Sequence, residues 1–139
     1  MMFKPKIIGF ICNWSLPTMV DIASSKRMRG YPKIRIVRVE CIGKIDATII
    51  LETLVKGADG VLVIGCPPPD CHYISGNYKA QNRILMLKKV LEQLGLESER
   101  LRLEWVYPYE IERFAMIIKD MTEEIKKLGP SPLRNACIY

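Results

Sequence analysis

Hydrophobic positions along the chain form short continuous runs that alternate with longer amphipathic stretches. The short runs have the length and β-branched content of buried strands, and they are Lys6–Cys12, Ile34–Val39, Gly60–Gly65 and Leu101–Val106. Apolar positions three or four residues apart predict helices, at Leu16–Arg29, between the cap Asp46 and Gly57, at about Gly76–Leu94 and at Glu110–Leu128. Because strands joined through helices pair in parallel, we predict an α/β fold. It is a three-layer α/β/α sandwich with a four-stranded, mostly parallel, flavodoxin-like sheet.

Three of these helices have a clear apolar face, which should pack against the sheet. We expect the inward positions to be Ala47, Ile50, Leu51, Leu54 and Val55 in the first, Ile84, Leu87, Leu91 and Leu94 in the second, and Phe114, Ile117, Met121, Ile125 and Leu128 in the third.

The composition indicates one globular domain. A chain of 139 residues with 49% hydrophobic content can bury a core, and we place a single domain at residues 1–129 and an extended tail at Pro130–Tyr139. No apolar run reaches the roughly 18 residues of a membrane helix, and the amino terminus lacks a signal cleavage site. We therefore expect a cytoplasmic protein with no membrane partner.

The net charge of +6 does not indicate a nucleic-acid partner. The basic residues are spread over the predicted helices without aromatic residues between them, which is typical of solvated helix faces or a docking surface. Neither a glycine-rich nucleotide fingerprint nor a G-x-S-x-G elbow is present, so we expect no flavin, no dinucleotide and no hydrolase chemistry.

Four cysteines fall at one predicted edge of the sheet. Cys12, Cys41 and Cys66 stand at the carboxyl ends of three strands, and Cys71 follows in a loop with three prolines. That edge is where parallel α/β sheets build their sites, and four thiolates complete either an iron–sulfur cluster or a structural zinc site. An alternative is that the first three are small buried hydrophobic residues at strand ends. The spacing by itself leaves both interpretations open.

His72 is the only histidine and follows Cys71 directly. A single histidine in such a position is more often hydrogen-bonded beside a metal site than a ligand. A thiol–disulfide enzyme using Cys66 and Cys71 is a further alternative, but the C-x4-C spacing is not the C-x-x-C of that class.

The loop after the third strand carries a specific resemblance. Its sequence, CPPPDCHYISGNY from Cys66 to Tyr78, resembles the small iron–sulfur (delta) subunit of the methyl-viologen-reducing, F420-non-reducing hydrogenases of methanogens. The likeness extends over nearly the whole chain and includes the segments Phe10–Trp14, Arg38–Gly43, Gly57–Val63, Leu101–Trp105 and Leu128–Leu133.

The resemblance implies a [2Fe-2S] protein with Cys12, Cys41, Cys66 and Cys71 as ligands and with Ser15 and His72 close to the cluster. The family's first motif is C-x-x-C, whereas this chain has Ser15 at the second position, which leaves the four thiols that such a cluster requires. The turn after the second strand also departs from the family pattern, at Ile42 and Lys44.

The resemblance further implies an electron-transfer component of an oxidoreductase complex in methanogenesis, without substrate turnover of its own. Its partners would be subunits of a hydrogenase, or of a formate dehydrogenase, and the A subunit of heterodisulfide reductase. The alternative is a zinc-binding or cluster-free protein that serves the structure or assembly of such a complex.

Overall fold

Four parallel strands and three helices make up the computed structural model, which describes residues 5–12, 35–39, 42–65, 76–106 and 111–129. The strands are β1 (Ile7–Cys12), β2 (Arg35–Val39), β3 (Gly60–Gly65) and β4 (Leu101–Trp105). The helices are α1 (Ala47–Val55), α2 (Gly76–Gln93) and α3 (Ile111–Leu128), with short 3-10 turns at Ile42–Lys44 and Ser98–Arg100. The helix predicted at Leu16–Arg29 and the tail predicted at Pro130–Tyr139 lie outside the described residues.

The strands form one sheet in the order β2-β1-β3-β4, and every neighbouring pair is parallel. This confirms the predicted α/β class and the parallel pairing. The step from β1 to β2 runs toward one edge of the sheet, and the step from β3 to β4 runs toward the opposite edge. The direction of the connections therefore reverses between β1 and β3. A reversal of this kind opens a crevice at the carboxyl ends of the two strands, where α/β proteins bind their ligands.

Alternate residues of the strands enter two separate cores, one on each face of the sheet. Phe10, Cys12, Val61 and Val63 belong to the cluster that α1 and α2 cover, whereas the side chains under α3 are Ile7, Ile11, Leu62 and Ile64. This alternation follows from the two-residue period of a strand. Helices on both faces confirm the predicted layered arrangement, in which β2 forms a half-exposed edge.

Residues of the types that commonly cap helices stand at the start of α1 and after the ends of α1 and α2. The Asp46 side chain accepts a hydrogen bond from the Thr48 amide at the start of α1. Two residues after the last residue of each helix stands a glycine of positive φ, Gly57 (111°) after α1 and Gly95 (84°) after α2. The residue after each glycine donates its amide to a carbonyl five residues earlier, which completes a Schellman motif.

Two of the predicted inward positions are wrong, since Val55 is 41% and Leu94 is 63% exposed. The buried arc of α1 is centred on Ile50 and Leu54, and at about 100° per residue Val55 lies well to one side of it. Leu94 follows the last residue of α2, where the helical period stops. Leu96, beyond the glycine, enters the core instead, at 4% exposed.

The inward face of α3 agrees with its prediction. Phe114, Ile117, Met121 and Ile125 are buried, and Leu128 packs half-buried against the same cluster. Among the described residues, none of the helices is long and apolar enough to cross a membrane.

Candidate functional site

Cys12 lies at the point where the strand order reverses. It is the last residue of β1 and is level with Val39 of β2, while on the other side its neighbour Ile11 is level with Ile64 of β3. The side chain is 2% exposed and faces the layer of α1 and α2. Of the four cysteines predicted as ligands, this is the one that the structure describes. It lies where the sequence predicted, although burial alone is also compatible with a small core residue.

The chain segments next to two other cysteines meet beside Cys12. Ile42 follows Cys41 in the sequence and Gly65 precedes Cys66. A Cβ at Gly65 would overlap Cδ1 of Ile42, would come 2.9 Å from its Cγ1, and would lie 3.4 Å from Cζ3 of Trp105. A side chain at position 65 would therefore force Ile42 to shift, and glycine leaves room for this close approach of β3 to the 3-10 turn. Ile42 belongs to the same buried cluster as Cys12.

Arg83 of α2 fastens the same turn from the helical layer. Its Nη1 donates a hydrogen bond to the carbonyl of Gly43 at 2.9 Å and another to the carbonyl of Ile45. Both carbonyls precede the start of α1 and so lie outside its hydrogen-bonded ladder. The sequence pattern predicted no role for Arg83 in the site. A signal was present, because Arg83 stands three residues after Ala80 and four before Leu87, next to the buried face of its helix.

The remaining predicted site residues, Cys41, Cys66, Cys71, Ser15 and His72, lie outside the described residues. The four-cysteine ligand set therefore stays a prediction. Helix α2 begins five residues after Cys71, and its Ala80 is buried in the cluster that contains Cys12. Within the described ranges, no three histidine, cysteine or acidic side chains come together as a possible metal site.

A buried polar cluster occupies the opposite, amino-terminal edge of the sheet. Arg100 is 0% exposed. It donates to the carboxylate of Glu97 at 2.6 Å, to the carbonyl of Asp59 at 3.0 Å and to the carbonyl of Gly129 at 2.9 Å. The Asp59 carboxylate accepts the Lys6 amide at 2.8 Å. These contacts join the starts of β1, β3 and β4 to the end of α3.

Burial alone would raise the pKa of Glu97. The hydrogen bond from Arg100, a backbone hydrogen bond and the positive charge of Arg100 outweigh it and hold the pKa below its ordinary value of 4.5.

Comparison with known proteins identifies a family for almost the whole chain. Residues 7–129 match the family described as methyl-viologen-reducing hydrogenase, delta subunit. The iron-sulfur subunit of the F420-non-reducing hydrogenase vhc of Methanococcus voltae is 46% identical over 132 residues, which are 95% of this chain and 92% of that protein. The iron-sulfur subunit of the F420-non-reducing hydrogenase of Archaeoglobus profundus is 44% identical over 128 residues, 92% of this chain and 93% of the relative.

A third relative is a much larger protein. It is the A subunit of the ferredoxin/F(420)H(2)-dependent CoB-CoM heterodisulfide reductase of Methanosarcina acetivorans, which is 40% identical over 126 residues. The aligned part is 91% of this chain and 16% of that relative. In Methanosarcina acetivorans, a region similar to this chain is thus part of the reductase polypeptide.

Proposed function

The chain belongs to the methyl-viologen-reducing hydrogenase delta-subunit family, and from this membership we propose that it is an iron–sulfur electron-transfer subunit. We further propose that the cofactor is a single [2Fe-2S] cluster held by Cys12, Cys41, Cys66 and Cys71. The protein relays electrons between a hydrogenase, or a formate dehydrogenase, and heterodisulfide reductase, without turning over a substrate of its own.

The position of Cys12 beside the junction of Ile42 and Gly65 is the observation that supports this proposal most. Cys12 is buried at the carboxyl end of β1, where the strand order reverses, and Ile42 and Gly65 pack closely at the same edge. Ile42 and Gly65 are the sequence neighbours of Cys41 and Cys66. Thiolates are the donors that iron–sulfur clusters take, so the described part of the site fits the proposed cofactor.

When bound, the cluster would supply one-electron redox chemistry. The protein's contribution is to hold the thiolates in place and to limit the access of water, since burial and hydrogen bonding set the potential of such a centre. Cys12 comes from a central strand that pairs on both sides, and its side chain is surrounded by the apolar core. Trp105 at the end of β4 packs partly buried against the same core.

The proposed partners follow from the names of the relatives. Two of them are named as hydrogenase subunits, and a third is named as the A subunit of a heterodisulfide reductase. A region that is covalently part of the reductase in one organism indicates where a separate chain of the same family would dock in another. We therefore propose that this chain binds hydrogenase subunits and the A subunit of heterodisulfide reductase.

The decisive experiment is anaerobic purification of the full chain, reconstitution with iron and sulfide, and analysis of metal, sulfide and visible absorption. We expect about two iron and two acid-labile sulfide per chain, and an electron paramagnetic resonance signal after reduction. A colourless chain free of iron and sulfide would refute the cluster. One equivalent of zinc without sulfide would establish the alternative, a zinc-binding protein with a structural or assembly function.

Cysteine substitutions then test the ligand set. We expect Cys12→Ser, Cys41→Ser, Cys66→Ser and Cys71→Ser each to lower iron content or change the spectrum. Cys137→Ser is the matched control and should leave both unchanged, and Ser15→Cys should leave the iron content unchanged because four thiols already complete the site. A loss of iron in Cys137→Ser, with none in one of the other four, would require a different ligand set.

A further inference from the structure

We propose that Arg83 is a positioning residue for the cluster. Arg83 holds the turn after Cys41 in place and thereby raises the reduction potential of the cluster. This inference rests on the proposed function, since it concerns the same site. It assigns a role to a side chain that belongs to none of the predicted ligands and that comes from a different layer of the fold.

The hydrogen bonds of Arg83 are suited to fixing a turn. One nitrogen of its guanidinium donates to the carbonyls of both Gly43 and Ile45, 40 and 38 residues away in the sequence. Within the turn, the Ile45 amide donates to the Ile42 carbonyl at 3.1 Å. Arg83 adds to this bond by binding carbonyls on both sides of Lys44. The planar guanidinium is suited to such paired contacts because little rotamer freedom is lost for each bond.

The turn is also held from the sheet. Ile42 packs so closely on Gly65 that a methyl group there would displace it. The residue after Cys41 is therefore fixed by β3 on one side, while the next residues are fixed by α2 on the other. Helix α2 is the element that follows Cys71, and β3 is the element that precedes Cys66. Arg83 and Gly65 thus hold the turn that follows Cys41 against the helix that follows Cys71 and the strand that precedes Cys66.

Removal of Arg83 should have two effects on a bound cluster. The turn that follows Cys41 loses its attachment to α2, so the backbone of residues 42–45 is held less firmly. The substitution also removes one positive charge from the chain, whereas reduction makes the cluster more negative. Hydrogen bonds and net charge are among the factors that set the potential of iron–sulfur clusters, and the loss of the charge makes reduction less favourable.

The test compares Arg83→Met and Arg83→Lys with Lys89→Met, in which an exposed positive charge is removed from the same helix. We expect Arg83→Met to lower the equilibrium constant for one-electron reduction about tenfold, which is about 59 mV toward negative potential. Arg83→Lys retains the charge and should lower this equilibrium constant less than about threefold. Lys89→Met should also change the equilibrium constant by less than about threefold.

A second measurement needs no cluster. Amide hydrogen exchange of the cluster-free chain should become faster at residues 42–45 in Arg83→Met, and to a smaller extent in Arg83→Lys, while Lys89→Met exchanges like the wild type. If Arg83→Met does not fold, the exchange measurement is made on Arg83→Lys. Exchange at residues 42–45 that is the same in Arg83→Lys as in the wild type would then overturn the inference.

The two proposals fail in different ways. A wild-type chain that binds no iron and sulfide refutes the proposed function and the effect on the potential together, whatever the variants show. A wild-type chain that binds the cluster, with unchanged potential and unchanged exchange in Arg83→Met, overturns the role of Arg83 alone.

Discussion

The two ends of the sheet each contain an arginine that binds backbone carbonyls, but the two arginines serve different purposes. At the amino-terminal edge, Arg100 is completely buried and joins β3 to the end of α3. At the carboxyl edge, Arg83 is half-buried and holds a turn that follows a predicted ligand. The first attaches one element of the core to another, whereas the second attaches the turn between β2 and α1 to the helical layer.

This difference agrees with a general property of parallel α/β folds, in which the two ends of the strands have different functions. Loops at the carboxyl ends of the strands carry the chemistry, and contacts at the other end carry stability. Arg100 and Asp59 are both 0% exposed and make hydrogen bonds to neighbouring elements. Changes at that edge should therefore alter the free energy of unfolding without altering the cluster, whereas changes at the other edge should alter the cluster as well.

The largest effect is expected from Arg100→Met. The substitution removes a hydrogen-bond donor from the buried carbonyl of Asp59 and from the part-buried carbonyl of Gly129. A buried polar group that is left unsatisfied costs about 1–3 kcal/mol. We expect the free energy of unfolding in urea to fall by roughly 2–5 kcal/mol. The spectrum of the cluster in the folded fraction should not change.

Arg102→Met is the control for this prediction. Arg102 pairs with Glu104 at 2.8 Å, and its side chain is 26% exposed, so its loss should cost less than about 1 kcal/mol. Equal losses in the two variants would show that burial of Arg100 does not stabilise the amino-terminal edge.

An intermediate effect is expected at the two ends of β3, and it tests the division within a single strand. Gly65→Ala would force a Cβ against Ile42, and overpacking of this kind costs about 1–3 kcal/mol. Because Ile42 follows Cys41, we also expect a shifted reduction potential and faster loss of iron to a chelator.

Gly60→Ala is the matched substitution at the other end of the strand. Its Cβ would lie 2.9 Å from Cε of Met121, 3.1 Å from Cδ1 of Ile125 and 3.4 Å from the carbonyl oxygen of Arg100. The two closest atoms are side-chain ends, whereas at Gly65 the Cβ would also press on Cγ1 of Ile42, which is nearer the backbone. We expect a cost of about 1 kcal/mol or less and no change in potential. A shifted potential in Gly60→Ala, or none in Gly65→Ala, would contradict the proposed division between the two edges.

The smallest effect is a pH dependence at the amino-terminal edge. Burial would raise the pKa of Glu97, but the hydrogen bond and positive charge of Arg100 outweigh it and lower the pKa. A carboxylate with a lowered folded-state pKa contributes stability that is present above the unfolded-state value, near 4.5, and that is lost as the pH falls through the folded-state value. Since Glu97 is 35% exposed, water screens the pair, and we expect less than about 1 kcal/mol.

Urea unfolding of the wild type and Glu97→Gln, from about pH 7 to about pH 3, measures this contribution. The wild type should lose stability relative to the variant below the unfolded-state pKa. A difference between the two that does not depend on pH would mean that the ion pair with Arg100 contributes nothing.

Local pattern predicted most of the fold. The bounds of β3 were predicted without error, and those of β1, β2, β4, α2 and α3 to within one residue, because each of these elements has a clear hydrophobic period and a glycine, proline or cap at its ends. The errors at Val55 and Leu94 arose where a helix ends, since the period does not show how the helix is rotated on the sheet or where its last turn stops. For the site, the sequence predicted the edge at which Cys12 lies, and the structure does not test the other three ligands.

The sequence by itself determined the succession of strands and helices along the chain and the position of Cys12 at the end of a strand. It also determined the resemblance to a hydrogenase subunit family. Each of these depends on local runs of residues. Tertiary structure alone decided that Arg83 binds a turn about 40 residues away, that Ile42 meets Gly65 and that Arg100 is buried against Asp59. These contacts depend on how helices rotate and pack across the sheet. A one-dimensional period contains no information about that packing.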